Sequence, residues 1–170
     1  MQKKSISALG FALALGALSL GAWGHGAADN SERAALPAEQ KPWGIGADED
    51  QVDRELVIRM GDDMRFSPDH FEVEEGETLR LVIINEGQMR HELVLGTAQE
   101  LEEHAAMMAK YPGMEHDEPY MAHVEPGQTQ SMLWTFNRAG RFEFACLLPG
   151  HFQAGMLGSV QVNAQPLSNQ

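Results

Sequence analysis

Seven short apolar segments separated by turn residues constrain the fold of this chain most strongly. In several of these segments apolar residues alternate with polar ones. In residues 140–146, for example, Phe142 and Phe144 lie on one face of a predicted strand. Short strands of this kind with turn signals between them are typical of a Greek-key β-sandwich. We therefore predict an all-β domain over residues 53–165, with strands near 55–60, 71–73, 78–84, 91–95, 128–136, 140–146 and 157–162.

One segment, residues 97–120, interrupts the strand pattern. Thr97 and Glu100 have the spacing of a capping box, and residues 101–110 contain good helix formers. The sequence Tyr111-Pro112-Gly113 is expected to end such a helix. We predict one helix and a long loop inserted between two strands.

The N-terminal 24 residues have the pattern of a secretory signal peptide. Lys3 and Lys4 precede a nearly uncharged run over residues 6–20, and Ala22-Trp23-Gly24 offers small residues for cleavage. The apolar run is short for a membrane anchor, so we predict cleavage, a periplasmic location and no membrane insertion of the mature chain. Residues 25–52, rich in Ala, Gly, Asp, Glu and Pro, are predicted to be a flexible or loosely docked segment.

The mature chain is strongly acidic. Without the two lysines of the signal, 10 basic and 25 acidic residues leave a net charge of −15 with histidine neutral. Nucleic acid is therefore not expected as a partner, because phosphate binding needs a basic surface. The charge suits steering toward a basic redox protein such as a c-type cytochrome, and it is equally explained by solubility alone.

The chain contains a single cysteine, Cys146, which cannot form an internal disulfide. In an oxidising compartment such a thiol is expected to be buried, paired between chains or bound to metal. It opens the segment Cys146-Leu-Leu-Pro-Gly-His151-Phe-Gln-Ala-Gly-Met156, directly after a predicted strand. A thiolate, two imidazoles and a weak axial thioether form the ligand set of electron-transfer copper. Structural zinc prefers four strong ligands, and a catalytic cysteine needs a base and an oxyanion site, neither of which is marked here.

The loop supplies one histidine, so a second must come from elsewhere in the chain. His91 is the best candidate, because it opens a predicted strand directly after the polar turn 85–90. In a sandwich, that point can lie at the same end as the cysteine loop.

The sequence resembles the cupredoxins, the blue-copper proteins related to plastocyanin and azurin. The resemblance runs through most of residues 54–163 and is carried by Asn85…His91, Val124-Glu-Pro-Gly127, Trp134-Thr-Phe136, Gly140-Arg-Phe-Glu-Phe-Ala-Cys146, Pro149-Gly-His151 and Ala154-Gly-Met156. It implies one type 1 copper with imidazole ligands His91 and His151, the thiolate of Cys146 and the axial thioether of Met156. The Cys-x₄-His-x₄-Met spacing is similar to that of rusticyanin-like members.

The inserted helix and the segment His91-Glu-Leu-Val-Leu-Gly96 look most like the periplasmic copper-tolerance branch of this family. One residue departs from the pattern of the electron carriers. They often have Asn or Ser after the first ligand histidine, where the side chain hydrogen-bonds near the cysteine loop, and this chain has Glu92. The departure affects the outer hydrogen bonds that tune the reduction potential.

The inserted segment is rich in methionine and histidine. His104, Met107 and Met108 have the spacing of one helix face, and Met114, His116, Met121 and His123 follow. Thioethers with imidazoles suit Cu(I), which suggests additional copper at an auxiliary site. Alternatively, the methionines pack on the sandwich and the histidines are exposed. His25, at the predicted mature N-terminus, is a further candidate for Cu(II), together with the terminal amine.

Two functions fit these residues. The first is copper tolerance or homeostasis by a redox-active Cu(I)/Cu(II) protein, and the alternative is a soluble electron shuttle to a cytochrome or other redox enzyme. An enzyme is not expected, since a single domain without a His-x-His pattern lacks the ligands of a multi-copper cluster. The number of copper ions bound per chain distinguishes the first two functions: more than one tightly bound copper supports copper tolerance, and a single copper supports the electron shuttle.

Overall fold

The computed structural model describes residues 38–112 and 116–165, which form two packed five-stranded sheets and one α-helix. The helix α1 (Ala98–Lys110) lies between the sixth and seventh strands. The strands are β1 (Ile45–Gly46), β2 (Arg54–Gly61), β3 (Arg65–Ser67), β4 (His70–Glu74), β5 (Thr78–Asn85), β6 (His91–Gly96), β7 (Met121–Val124), β8 (Thr129–Thr135), β9 (Gly140–Ala145) and β10 (Leu157–Asn163).

The first sheet has the order β1-β8-β5-β2-β3 and the second the order β4-β10-β9-β6-β7. The pairs β2–β5 and β4–β10 are parallel, and the other pairs within the sheets are antiparallel. The predicted β-sandwich with an inserted helix is confirmed. The short strands β1, β3 and β7 were not predicted, because two to four residues are too few for a periodic pattern to show.

The main core lies between the two sheets. Alternate residues of the strands point into it, as in β5, where Leu79, Leu81 and Ile83 have no exposed surface. Aromatic rings from both sheets meet there, and the Phe66 and Phe144 rings are in edge contact at 5.1 Å. Alternation therefore predicts which face of most strands is buried.

Strand β6 is buried on both faces, because α1 covers the outer face of its sheet. Val94 of β6 packs there with a second apolar cluster that includes Leu101, Ala105 and Met108 of the helix. The helix begins as predicted, with the Thr97 hydroxyl accepting a hydrogen bond from the Glu100 N–H at 3.3 Å, and it ends at Lys110, before Tyr111 and Pro112. The insertion therefore forms a small second core on the sandwich.

The segment before β2 contacts the sandwich between residues 40 and 47. The Trp43 side chain is 3% exposed, its carbonyl accepts a hydrogen bond from the Trp134 indole N–H, and β1 pairs with β8. This part of the predicted flexible segment 25–52 is thus docked, because a buried indole anchors it. Residues 25–37 and the predicted signal 1–24 lie outside the described residues. Within the described ranges, no helix has the length and apolar character needed to span a membrane.

Candidate metal centre

The pairing of β6 with β9 brings His91 and Cys146 to the same end of the second sheet. The two strands are antiparallel with Val94 opposite Ala145, so the start of β6 lies beside the end of β9. His91 is the first residue of β6, and Cys146 directly follows the last residue of β9. Residues far apart in the chain therefore meet through sheet register.

Two imidazoles and the thiol converge at this end. The Nδ1 atoms of His91 and His151 are 3.2 Å apart, and the Cys146 Sγ lies 3.3 Å from the His151 Nδ1. All three ligand atoms lie within 4.8 Å of one another, and no other three His, Cys, Asp or Glu side chains among the described residues have this property. The spacing fits ligands of one ion with bonds of about 2.0–2.3 Å, the range for imidazole and thiolate bonds to zinc.

The loop from Cys146 to Met156 is closed by backbone hydrogen bonds. The Cys146 N–H donates to the Met156 carbonyl at 3.1 Å, and the Met156 N–H donates to the His151 carbonyl at 3.1 Å. Gly150 has φ +93°, a conformation that favours glycine, so the Pro149-Gly150 turn suits this path. Met156 is fully buried in the same apolar cluster as Cys146. The loop therefore holds the predicted thiol, imidazole and thioether residues at one end of the core.

Burial affects the two loop ligands in opposite directions. It raises the pKa of the Cys146 thiol to about 12, so the metal-free protein carries a neutral thiol at pH 7. Burial, and then the neighbouring His91 ring, lower the pKa of His151, which favours a neutral imidazole. A metal bound here as a thiolate complex must displace the thiol proton.

The carboxylate of Asp62, a residue that the sequence did not single out, contacts the other side of the His91 ring. Its Oδ1 atom is 3.3 Å from the His91 Nε2. Asp62 belongs to the turn between β2 and β3, and it accepts hydrogen bonds from the backbone N–H groups of Gln88 and Met89. No local pattern links this turn to His91, so only the packed structure identifies the contact.

Glu92 takes the position at which the electron carriers often have Asn or Ser. Its side chain is 1% exposed, and its Oε1 accepts a hydrogen bond from the Leu147 N–H at 2.9 Å, next to Cys146. Its Oε2 lies 3.0 Å from the Nδ1 of His123, the residue opposite it on β7. The departure noted in the sequence is therefore a buried carboxylate that binds the cysteine loop.

The structure separates the candidate auxiliary residues into two groups. Met108 and Met121 pack in the apolar cluster under α1, while Met107 is 48% exposed. The imidazoles of His104 and His116 are tilted by 37° with ring centroids 5.0 Å apart, and His123 Nε2 donates to the His116 carbonyl at 3.1 Å. Met114 and His25 lie outside the described residues.

Comparison with known proteins points to a family of copper-binding proteins. The profile of the copper-binding proteins of the plastocyanin/azurin family matches residues 52–163. The copper-resistant cuproprotein CopI of Rubrivivax gelatinosus is 45% identical over 121 residues, covering 71% of this chain and 73% of its own. CopI of Pseudomonas aeruginosa is 37% identical and covers 78% of this chain and 87% of its own.

Solved structures share the fold at low sequence identity. Reduced auracyanin from Roseiflexus castenholzii matches with a TM-score of 0.57 at 19% identity, over 68% of this chain and 99% of its own. An azurin from Methylomonas sp. strain J matches with a TM-score of 0.53 at 18% identity, over 68% of this chain and its full length.

Proposed function

Because the chain belongs to the plastocyanin/azurin family of copper-binding proteins, we propose that it is a type 1 copper protein that acts in copper tolerance. The proposed ligands are His91, Cys146, His151 and Met156. The observation that carries this assignment is the convergence of two Nδ1 atoms and one Sγ atom at 3.2 and 3.3 Å. A soft thiolate and thioether with two imidazoles is a donor set that favours copper over harder ions.

Copper bound here supplies one-electron chemistry between Cu(I) and Cu(II). The protein holds the ligands in place and excludes water. His91 and Cys146 have no exposed surface, and the loop hydrogen bonds between Cys146 and Met156 restrict the movement of both residues. A fixed ligand set needs little rearrangement when the charge of the ion changes, which suits rapid and reversible oxidation.

The role in copper tolerance is supported by the relatives, which are named copper-resistant cuproproteins in three bacterial species. We propose that the chain is exported to the periplasm, where Lys3, Lys4 and the apolar run over residues 6–20 act as its signal. The proposal includes copper binding and redox cycling and no catalysed reaction.

Electron transfer to a redox partner is a second candidate function, and the exposure of His151 favours it. His91 is fully buried, whereas His151 is partly exposed. One imidazole ligand therefore reaches the protein surface, where an electron can pass to a partner. The net negative charge suits a basic partner such as a c-type cytochrome.

The test is an anaerobic copper titration of the mature protein followed by visible and EPR spectra. We expect one equivalent of Cu(II) to produce an intense visible band, and we expect Cys146→Ser to abolish it because the thiolate ligand is lost. The matched control is His70→Ala, which removes an exposed histidine outside the proposed ligand set. A Cys146→Ser protein that kept the band would refute the ligand assignment.

The cellular role has a separate test. A strain lacking the protein should become sensitive to copper, and the wild-type chain should restore growth whereas Cys146→Ser should not. Equal rescue by both chains would contradict a role that depends on the metal centre. Rapid electron exchange of the copper-loaded protein with a basic cytochrome, weakened by salt, would support the shuttle.

A further inference from the structure

A second cluster of ligand side chains lies on the outer face of the sheet, beside α1. Glu92 on β6 and His123 on β7 are directly opposite each other, so their side chains share this face. His104 on α1 and His116 in the segment after α1 lie nearby, with their rings 5.0 Å apart. Three imidazoles and one carboxylate are thus gathered where the inserted segment meets the sheet.

Two atoms at the centre of this cluster have no hydrogen bond among the described residues. Glu92 Oε2 and His123 Nδ1 are both buried and lie 3.0 Å apart, the distance of an ion pair when the ring is protonated. His123 Nε2 carries a hydrogen, because it donates to the His116 carbonyl, so in the neutral ring Nδ1 has a free lone pair. Glu92 raises the pKa of His123, so the negative charge beside Nδ1 favours a positive charge there, which either a ring proton or a metal ion bound by both atoms supplies.

The separation of these two atoms fits a metal ion. With bonds of about 2.0–2.2 Å, two ligand atoms at 90° in the square-planar or tetragonal geometry of Cu(II) lie about 2.8–3.1 Å apart. The carboxylate of Asp117, 3.7 Å from His123 Nε2, adds negative charge at the outer edge.

We propose that Glu92, His104, His116 and His123 form a second metal site for a divalent cation, filled by Cu(II) when copper is abundant. Imidazole and carboxylate ligands suit divalent copper and zinc, and copper binds such sites more tightly. The thioethers of Met107, Met108 and Met121 are not part of the site, because Met108 and Met121 pack in the apolar cluster and Met107 is exposed. The proposed site therefore differs from the auxiliary Cu(I) site suggested by the sequence, in which His104, Met107 and Met108 share one helix face.

Metal binding at the second site requires side-chain rotation. The ligand atoms of this cluster do not all lie within the 4.8 Å that relates His91, Cys146 and His151. His104 and His116 are only partly buried, so their rings can turn toward the Glu92–His123 pair. Glu92 contacts both centres, since its Oε1 binds the Leu147 N–H beside Cys146 and its Oε2 faces the cluster.

The experiment is a Cu(II) titration of the full mature protein in which two signals are followed separately. The visible band reports the proposed type 1 centre. An EPR signal with imidazole nitrogen couplings and no intense visible band reports the second site. We expect the double variant His104→Ala/His116→Ala to keep the visible band and to bind the second Cu(II) at least tenfold more weakly. His70→Ala should bind both ions like the wild-type protein.

The proposal is overturned if no second Cu(II) binds, or if the double variant binds it as tightly as His70→Ala does. His116→Ala alone provides a milder variant, because His116 lies outside the helices and strands, and it should weaken the same signal. All variants retain His25, so copper bound at the N-terminus contributes equally to each. If the visible band is absent but the second signal depends on His104 and His116, the type 1 assignment fails and the second site stands.

Discussion

The Oδ1 atom of Asp62 lies 3.3 Å from the Nε2 of His91, while the Nδ1 of the same ring faces His151. Hydrogen bonds from the backbone N–H groups of Gln88 and Met89 lower the pKa of Asp62, so the group is a carboxylate at neutral pH. A carboxylate at the outer nitrogen retains the ring proton there and leaves Nδ1 free to bind metal. Asp62 therefore fixes the ring orientation and the proton position of a proposed copper ligand.

The first prediction concerns this carboxylate. Asp62→Asn should raise the reduction potential, because a less basic imidazole stabilises Cu(II) less than Cu(I). A tenfold loss of Cu(II) affinity relative to Cu(I) corresponds to about 59 mV for one electron. A redox titration monitored at the visible band measures the reduction potential. The control is Asp63→Asn, which changes the exposed neighbouring residue. Equal potentials for the two variants would show that the contact has no effect on the metal.

The second prediction concerns the axial position. Met156→Leu should retain copper and raise the reduction potential by roughly 60 mV, the equivalent of a tenfold relative loss of Cu(II) affinity, because a weak donor to Cu(II) is removed. Leu and Met have similar volumes, so the buried position should tolerate the change. Voltammetry and copper analysis of the purified variant test both statements. An unchanged potential would exclude Met156 as a ligand.

The third prediction follows from the buried thiol in the copper-free protein. Its folded-state pKa is raised from 9.0 to about 12, so the neutral thiol favours folding and this contribution is fully present below pH 9. It is lost as the pH rises from 9 toward 12, by about 1.4 kcal/mol at pH 10. Urea unfolding at pH 8 and 10 should show this extra loss relative to Cys146→Ala. Equal losses in both proteins would contradict the raised pKa.

The fourth prediction concerns the docked N-terminal segment. Trp43→Ala should lower the free energy of unfolding by about 3–5 kcal/mol, because it removes a buried indole that contacts the Tyr120 ring. Met107→Ala, at a 48% exposed helix position, should change it by less than about 0.5 kcal/mol. Urea unfolding of the copper-free variants provides the comparison. A Trp43→Ala protein as stable as the Met107→Ala protein would mean that the segment is not anchored by this ring.

The strands and the helix were largely predictable because their signals are local. Phe142 and Phe144 alternate with polar residues in β9, and the Thr97–Glu100 pair marks the start of α1. Trp43 was not predicted as a core residue, since its segment is short and has no periodic pattern. Its burial depends on a space between β8 and Tyr120 that exists only after the sheets have packed.

The proposed metal centre likewise combines residues predictable from the sequence with contacts that only the folded structure shows. The sequence alone determined the residues Cys146, His151 and Met156, because all three belong to one short loop whose spacing carries the chemistry. The tertiary structure decided how His91 reaches that loop, and it decided that Asp62 contacts His91, that Glu92 binds the loop and that His123 contacts Glu92. These contacts depend on the antiparallel register of β6 with β9 and β7 and on the packing of the β2–β3 turn. Such long-range pairings leave no periodic pattern along the chain, because they arise only when distant segments pack together.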